Sequence, residues 1–182
     1  KEPIELEMLR ANSVDHYTVV LAPALIAINS VQAEILDNKI GYIRLTSFQE
    51  NTTPKLVQQL SAWQSEQLTG IILDLRNNPG GLLDQAITIA DLFLDKGRIV
   101  STEGRFFDAN SDYYASPQIM AANIPMTVLI NKGSASASEV QAAALQDNGR
   151  AKLLGQTSFG KGTIQSLIPT LLDGSAIKLT IA

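Results

Sequence analysis

The chain has 182 residues, 45% of them apolar and 18% charged, with a net charge of −4 and no cysteine. That size and balance suit one globular domain with room for a fragment of a second, and bury about 70% of the unfolded surface. The acidic balance argues against a nucleic-acid binder, the lack of cysteine excludes disulfides, thiolate nucleophiles and zinc–cysteine sites, and no apolar run reaches the ~20 residues of a membrane span.

The first thirty residues read as short strands. Pro3 to Leu9 alternates apolar and charged residues, the pattern of a strand with one wet face. Tyr17 to Leu21 and Leu25 to Val31 are further strand candidates around a turn near Pro23. Ile40 to Leu45 is a strand leading to a polar turn. Thr53-Pro54 then opens a helix, with Thr53 as cap and Pro54 at the first helical position, running to about Leu68 and ending at Gly70.

Ile71 to Leu75 is an apolar run of strand length, read as a buried strand. Arg76 to Gly81 is a strong turn. Leu82 to Leu94 carries apolar residues at helical spacing. Arg98 to Ser101 is a short strand, and residues 104–124 read as irregular, with Phe106, Phe107, Tyr113 and Tyr114 among them. Met126 to Ile130 is a second buried strand, Ser136 to Asn148 a helix stopped by Gly149, and Lys152 to Leu154 and Ala176 to Ile181 are closing strands. Strand–helix alternation of this kind predicts an α/β fold: βαβ units, a largely parallel sheet and helices outside. In such sheets sites form at the carboxyl ends of strands. The turns at Asn77 to Gly81 and Lys132 to Ser136 both lie at such ends.

Ser136 begins Ser136-Ala137-Ser138-Glu139, a Ser-x-x-Glu capping box, so its plainest role is helix N-cap. The same position puts a hydroxyl beside free backbone N–H groups that suit an oxyanion. Ser134, Ser136 and Ser138 alternate with alanines, and any of them suits the cap. Lys161 lies between Gly160 and Gly162, on a pliable backbone. A lone lysine is usually a solvated surface charge. To act as a base its amine must be uncharged, a state that burial against apolar groups favours.

Two other motifs overlap Lys161. Gly155 to Gly162 nearly matches a phosphate-binding loop, but Gly162 replaces the metal-binding hydroxyl and the following residues are poor helix formers. Ser158-Phe159-Gly160-Lys161 fits Ser-x-x-Lys, but its glycines disfavour the helix that motif needs. The plain reading of the Asn78-Pro79-Gly80-Gly81 turn is a strand-to-helix connection; the functional reading is a glycine N–H as second oxyanion donor beside the Ala137 N–H. Asp74 and Arg76 are placed to pair and hold this turn. His16, beside Asp15, reads as an exposed or turn histidine. No metal-ligand spacing is visible.

Taken together, Ile40 to Leu45, Leu73 to Gly81, Gly133 to Glu139, Ala144 to Asp147 and Phe159 to Gly162 resemble the carboxyl-terminal processing peptidases, or tail-specific proteases. The resemblance runs from about Ile40 to Ala182. It implies a serine–lysine endopeptidase on a core like those of the Clp protease and crotonase folds, cutting near protein C-termini through an acyl-enzyme. Carried over by position, Ser136 is the nucleophile, Lys161 the general base and Gln165 the residue that orients the lysine. The Ala137 N–H with that of Gly80 or Gly81 forms the oxyanion hole, and no metal or cofactor is needed. Family members carry a PDZ domain before this core, and only Lys1 to about Arg10 resembles its final strand. Residues 1–30 are therefore read as N-terminal strands, a residual PDZ strand plus the start of the core, and residues 31–182 as the peptidase core. The chain starts without methionine or leader and stops at Ala182, inside the family's span, so it reads as a trimmed core. Implied partners are protein or peptide substrates with apolar C-terminal tails and the protein's own PDZ domain, with homo-oligomerisation left open. The implied setting is extracytoplasmic, the bacterial periplasm. The competing expectation is a non-catalytic core that binds extended tails by strand addition.

Overall fold

The computed structural model describes residues 2–12, 14–24, 29–105, 109–169 and 175–182. Its centre is a five-stranded sheet built from β3 (Val31–Leu36), β4 (Ile40–Leu45), β5 (Gly70–Asp74), β8 (Met126–Ile130) and β9 (Lys152–Gly155), in that spatial order. The β3–β4 pair is antiparallel; β4–β5, β5–β8 and β8–β9 are parallel. The parallel pairs need crossovers, and these carry α1 (Thr52–Ala62), α2 (Leu83–Asp91) and α3 (Ala137–Asp147). The α/β class and the mostly parallel sheet are as expected.

Alternation along β4 buries Gly41, Ile43 and Leu45. In the centre, Ile71, Leu73, Leu75 and Val128 are buried, and they pack in one cluster with Leu56, Ile89, Phe93 and Leu145 from the helical segments. Gly41 has no room for a side chain: a Cβ there lies 2.9 Å from the Trp63 ring and 2.9 Å from Leu68 Cδ1.

Helix α1 departs from its expected bounds. It starts at Thr52 with Asn51 at the cap, because the buried Thr52 hydroxyl bonds Ser30 Oγ at 2.7 Å and accepts the Gln49 N–H at 2.9 Å. Its end comes at Ala62, not near Leu68, because buried Trp63 anchors the last turn and Gln67 turns the chain at φ 53°. Strand β3 begins only at Val31, the last residue of the expected Leu25 to Val31 strand, most of which falls outside the described residues. Phe106 and Phe107 also fall outside them. The stretch read as irregular contains β7 (Ser111–Tyr114), which pairs antiparallel with β6 (Arg98–Thr102).

Two further ribbons complete the described residues. The exposed antiparallel pair β1 (Ile4–Leu9) and β2 (His16–Leu21) is one. The other pairs β10 (Gln165–Pro169) with β11 (Ala176–Thr180). The sequence flagged residues 163–168 only as poor helix material; they enter an extended ribbon. The Ile164 N–H donates to Ala182 O at 2.7 Å and the Ile181 N–H to Ile164 O at 2.9 Å, which closes its open end.

Leu73 is fully buried in the middle strand. Leu73→Ala is expected to lower stability by about 2–5 kcal/mol. Urea denaturation checks this: the midpoint falls while the slope is unchanged.

Candidate active site

Strands β5 and β8 are neighbours and run in the same direction, so the loops at their carboxyl ends meet. A set of hydrogen bonds zips the loops together. The Asn77 N–H donates to Asn131 Oδ1 at 2.9 Å, and Asn131 Nδ2 donates back to Asn77 Oδ1 at 2.9 Å. The Ala135 N–H donates to Asn78 O at 3.0 Å. Ser134 Oγ donates to Leu75 O at 2.8 Å, and Ser138 Oγ to Asn78 O at 3.0 Å. This sorts the three alternating serines. Ser134 and Ser138 are buried with their hydroxyls committed to backbone carbonyls, whereas Ser136 lines an open cavity of about 420 Å³.

Ser136 holds φ 57° and ψ −117°, a conformation costly for a residue with a side chain. Two features hold it there. Its N–H donates to Glu139 Oε2 at 2.7 Å, the carboxylate half of the capping box. Beneath it, Gly80 at φ +97° leaves space that a side chain would close: a Cβ there lies 2.9 Å from Ser136 Cβ and 2.7 Å from Ala135 O.

Glu139 also reaches the far loop. Its carboxylate accepts the Ser158 hydroxyl at 2.7 Å, the Gly160 N–H at 2.6 Å and the Lys161 N–H at 2.9 Å. Burial alone would push this carboxyl up; the bonds from Ser158, Gly160, Lys161 and Ser136 outweigh it and hold the group below the usual carboxylate range. These bonds bear on both competing motifs. The N–H groups that a phosphate loop would offer its ligand already point at Glu139, and residues 156–164 form no helix that would align Ser158 with Lys161. The signal for Glu139 in the sequence was its spacing from Ser136; its span to residues 158–161 had none.

Lys161 and Gln165 line the same cavity as Ser136, Ala137 and Gly81. Among the described residues the Lys161 amine makes no hydrogen bond to the Ser136 hydroxyl or to Gln165. Lys161 is exposed, and a Cβ on Gly160 or Gly162 would meet nothing within 4 Å. The loop is tied by backbone bonds on one side and uncovered on the other. The candidate oxyanion donors also separate. The Gly80 N–H donates to Asn78 Oδ1 at 2.9 Å, and Gly80 is buried. The Gly81 and Ala137 N–H groups have no acceptor among the described residues.

Asp74 and Arg76 pair as expected, with Arg76 Nε 2.9 Å from Oδ1 and its terminal nitrogen 2.7 Å from Oδ2. The sequence did not point to Tyr42, whose hydroxyl donates to Asp74 Oδ2 at 2.7 Å. Burial alone would raise the Asp74 carboxyl; the bonds from Arg76 and Tyr42 hold it low. His16 pairs with Glu7 at 3.0 Å on the β1–β2 ribbon and does not line the cavity.

A mostly parallel sheet with its cavity at the strand carboxyl ends gives the chain the architecture in which α/β folds place their sites. Residues 39–182 match peptidase family S41, and the chain belongs to that family. It is 38% identical over 179 residues to the carboxy-terminal processing protease CtpA of Bacillus subtilis, covering 98% of this chain and 38% of that protein. It is 42% identical over 184 residues to the carboxy-terminal-processing protease of Bartonella bacilliformis, covering 99% of this chain and 42% of that one. Among solved structures, the photosystem II D1 C-terminal processing protease superposes with a TM-score of 0.74 at 32% identity, over 91% of this chain and 46% of that one. The chain thus spans less than half the length of these relatives.

Because its native carboxyl is held low, Glu139 contributes stability that is complete above the ordinary glutamate range near ~4.3. That contribution is lost as pH falls through the lower native value. Glu139→Gln is therefore expected to have a lower urea midpoint than wild type at neutral pH. The gap should shrink steadily on acidification below the glutamate range, as denaturation series across that range would record.

Proposed function

We propose that this chain is the peptidase core of a serine endopeptidase that cuts proteins near their C-termini. Ser136 attacks the scissile carbonyl, and Lys161 takes its proton and later passes it to the leaving amine. The resulting acyl-enzyme is hydrolysed by water with the lysine again as base. Gln165 orients Lys161. The Ala137 and Gly81 N–H groups stabilise the oxyanion; Gly81 is preferred to Gly80, whose N–H is already spent within its turn. Each such donor is worth ~2.7–4 kcal/mol to an acyl transfer. The observation that carries the reading is the convergence of Ser136, Ala137, Gly81, Lys161 and Gln165 on one cavity.

Lys161 is exposed where it lines the cavity. A substrate strand laid across it would displace water from around Lys161, favouring the uncharged base. Substrates are protein tails of apolar character, and the PDZ domain expected in the full protein presents them. Residues 1–30 are assigned to the end of that domain and the start of the core. The setting proposed is extracytoplasmic, the bacterial periplasm, and the partners do not include nucleic acid.

The test is cleavage of an unfolded protein with an apolar tail. Ser136→Ala should abolish it, and Lys161→Ala should reduce kcat by about 10²–10⁴-fold, each with an unchanged circular dichroism spectrum. Loss confined to Ser158→Ala would contradict the assignment. Tail binding by wild type without turnover would favour the strand-addition module instead.

A further inference from the structure

We infer that Lys178 is a specificity-determining residue, which recognises a carboxylate on the substrate segment occupying the Ser136 cavity. The inference rests on reading that cavity as the peptidase site. Lys178 lies on β11 and lines the same cavity as Ser136, Lys161 and Gln165. The register explains why. Gln165 pairs with Thr180, and Lys178 stands two residues before Thr180, so the side chains of Gln165 and Lys178 project from one face of the β10–β11 ribbon.

The cavity's charge is one-sided. Among the described residues Lys161 and Lys178 line it, and no aspartate or glutamate does. Among the described residues Lys178 makes no ion pair or hydrogen bond. The nearby Glu139 carboxylate already accepts four donors. The chain as a whole is acidic, at −4, so this positive lining is local. A base must be uncharged to take the Ser136 proton. During attack Lys178 is then the cation left to the cavity among the described residues. The exposed Lys178 ammonium, without a partner among the described residues, is matched at this open cavity by a carboxylate, through charge-assisted hydrogen bonds. Two sources offer that group: an Asp or Glu side chain near the scissile bond, or the free carboxylate at the substrate's end.

The experiment separates the sources and separates this inference from the peptidase reading. Fluorescein-labelled peptides with an apolar tail carry Glu or Gln at each position in turn and end in a carboxylate or an amide. Their Kd values are measured by anisotropy with Ser136→Ala, which binds without turning over. One anionic form, Glu over Gln or acid over amide, should bind about tenfold more tightly than its neutral counterpart. The preference should vanish in Ser136→Ala/Lys178→Met and persist in Ser136→Ala/Lys178→Arg, with unchanged thermal melts. Lys178→Gln serves as the second neutral variant should the methionine form melt early. No preference, a preference unaffected by Lys178→Met or Lys178→Gln, or no binding of any peptide overturns the inference. Charge-dependent binding with no cleavage by wild type overturns the peptidase reading and leaves the carboxylate site standing. Cleavage that ignores the charge does the reverse.

Discussion

One carboxylate joins the two halves of the candidate site. Glu139 grows from the first turn of α3 and accepts the N–H of Ser136, three residues upstream in the same turn. Its remaining lone pairs take the Ser158 hydroxyl and the N–H groups of Gly160 and Lys161. Residues 158–161 contribute few packing contacts of their own: Phe159 is 69% exposed, and a Cβ on Gly160 or Gly162 would meet nothing within 4 Å. Their place relative to Ser136 therefore depends on this hub and on one further bond, from the Phe159 N–H to Ser134 O at 3.0 Å. Hydrogen bonds to an ionised acceptor are the stronger kind, and four converge here.

The second constraint is steric. A strained serine persists only where its surroundings over-determine it. Below Ser136 stands Gly80, fixed by Asn78, whose side chain spans from the Gly80 N–H to Leu45 O at 2.9 Å. Asn78 is fully buried, and its own carbonyl receives Ala135 and Ser138. The turn after β5 thus forms the floor on which the turn after β8 rests. Parallel pairing of the two strands brings both turns to one edge of the sheet. Gly81 follows at φ +147°, where a Cβ would strike Phe48 O, so that glycine is dictated by packing as well as by any role toward substrate. The two halves of the site are thus held differently: the serine turn by burial and sterics, the lysine loop by hydrogen bonds to Glu139 and Ser134.

Much of this was legible in the sequence. Apolar runs at Ile71 to Leu75 and Met126 to Ile130 marked the buried strands, because a strand covered on both faces needs no alternation. Gly149 marked the end of α3, where φ is +70°. The capping-box spacing marked Ser136 and Glu139. What escaped depends on partners distant in the chain. The start of α1 is set by Ser30, its end by the burial of Trp63 beside Gly41, and neither contact leaves a local pattern. Glu139 looked like a cap and is also a bridge across some twenty residues. Tyr42 on Asp74, and the commitment of the Ser134 and Ser138 hydroxyls to backbone carbonyls, likewise required the turns to be seen together. The openness around Lys161 was invisible for the same reason: Gly160 and Gly162 announce pliancy but not what covers them.

In the proposed mechanism the Ser136 hydroxyl becomes acylated while Lys161 draws off its proton. The most direct measurement is intact-mass and peptide-mapping spectrometry after brief exposure to a p-nitrophenyl ester of an apolar-tailed peptide. The account predicts a single acyl adduct on Ser136, missing in Ser136→Ala and slowed by orders of magnitude in Lys161→Ala. An adduct on Ser158, or acylation of Ser136 at the same rate with Lys161 replaced, would contradict it.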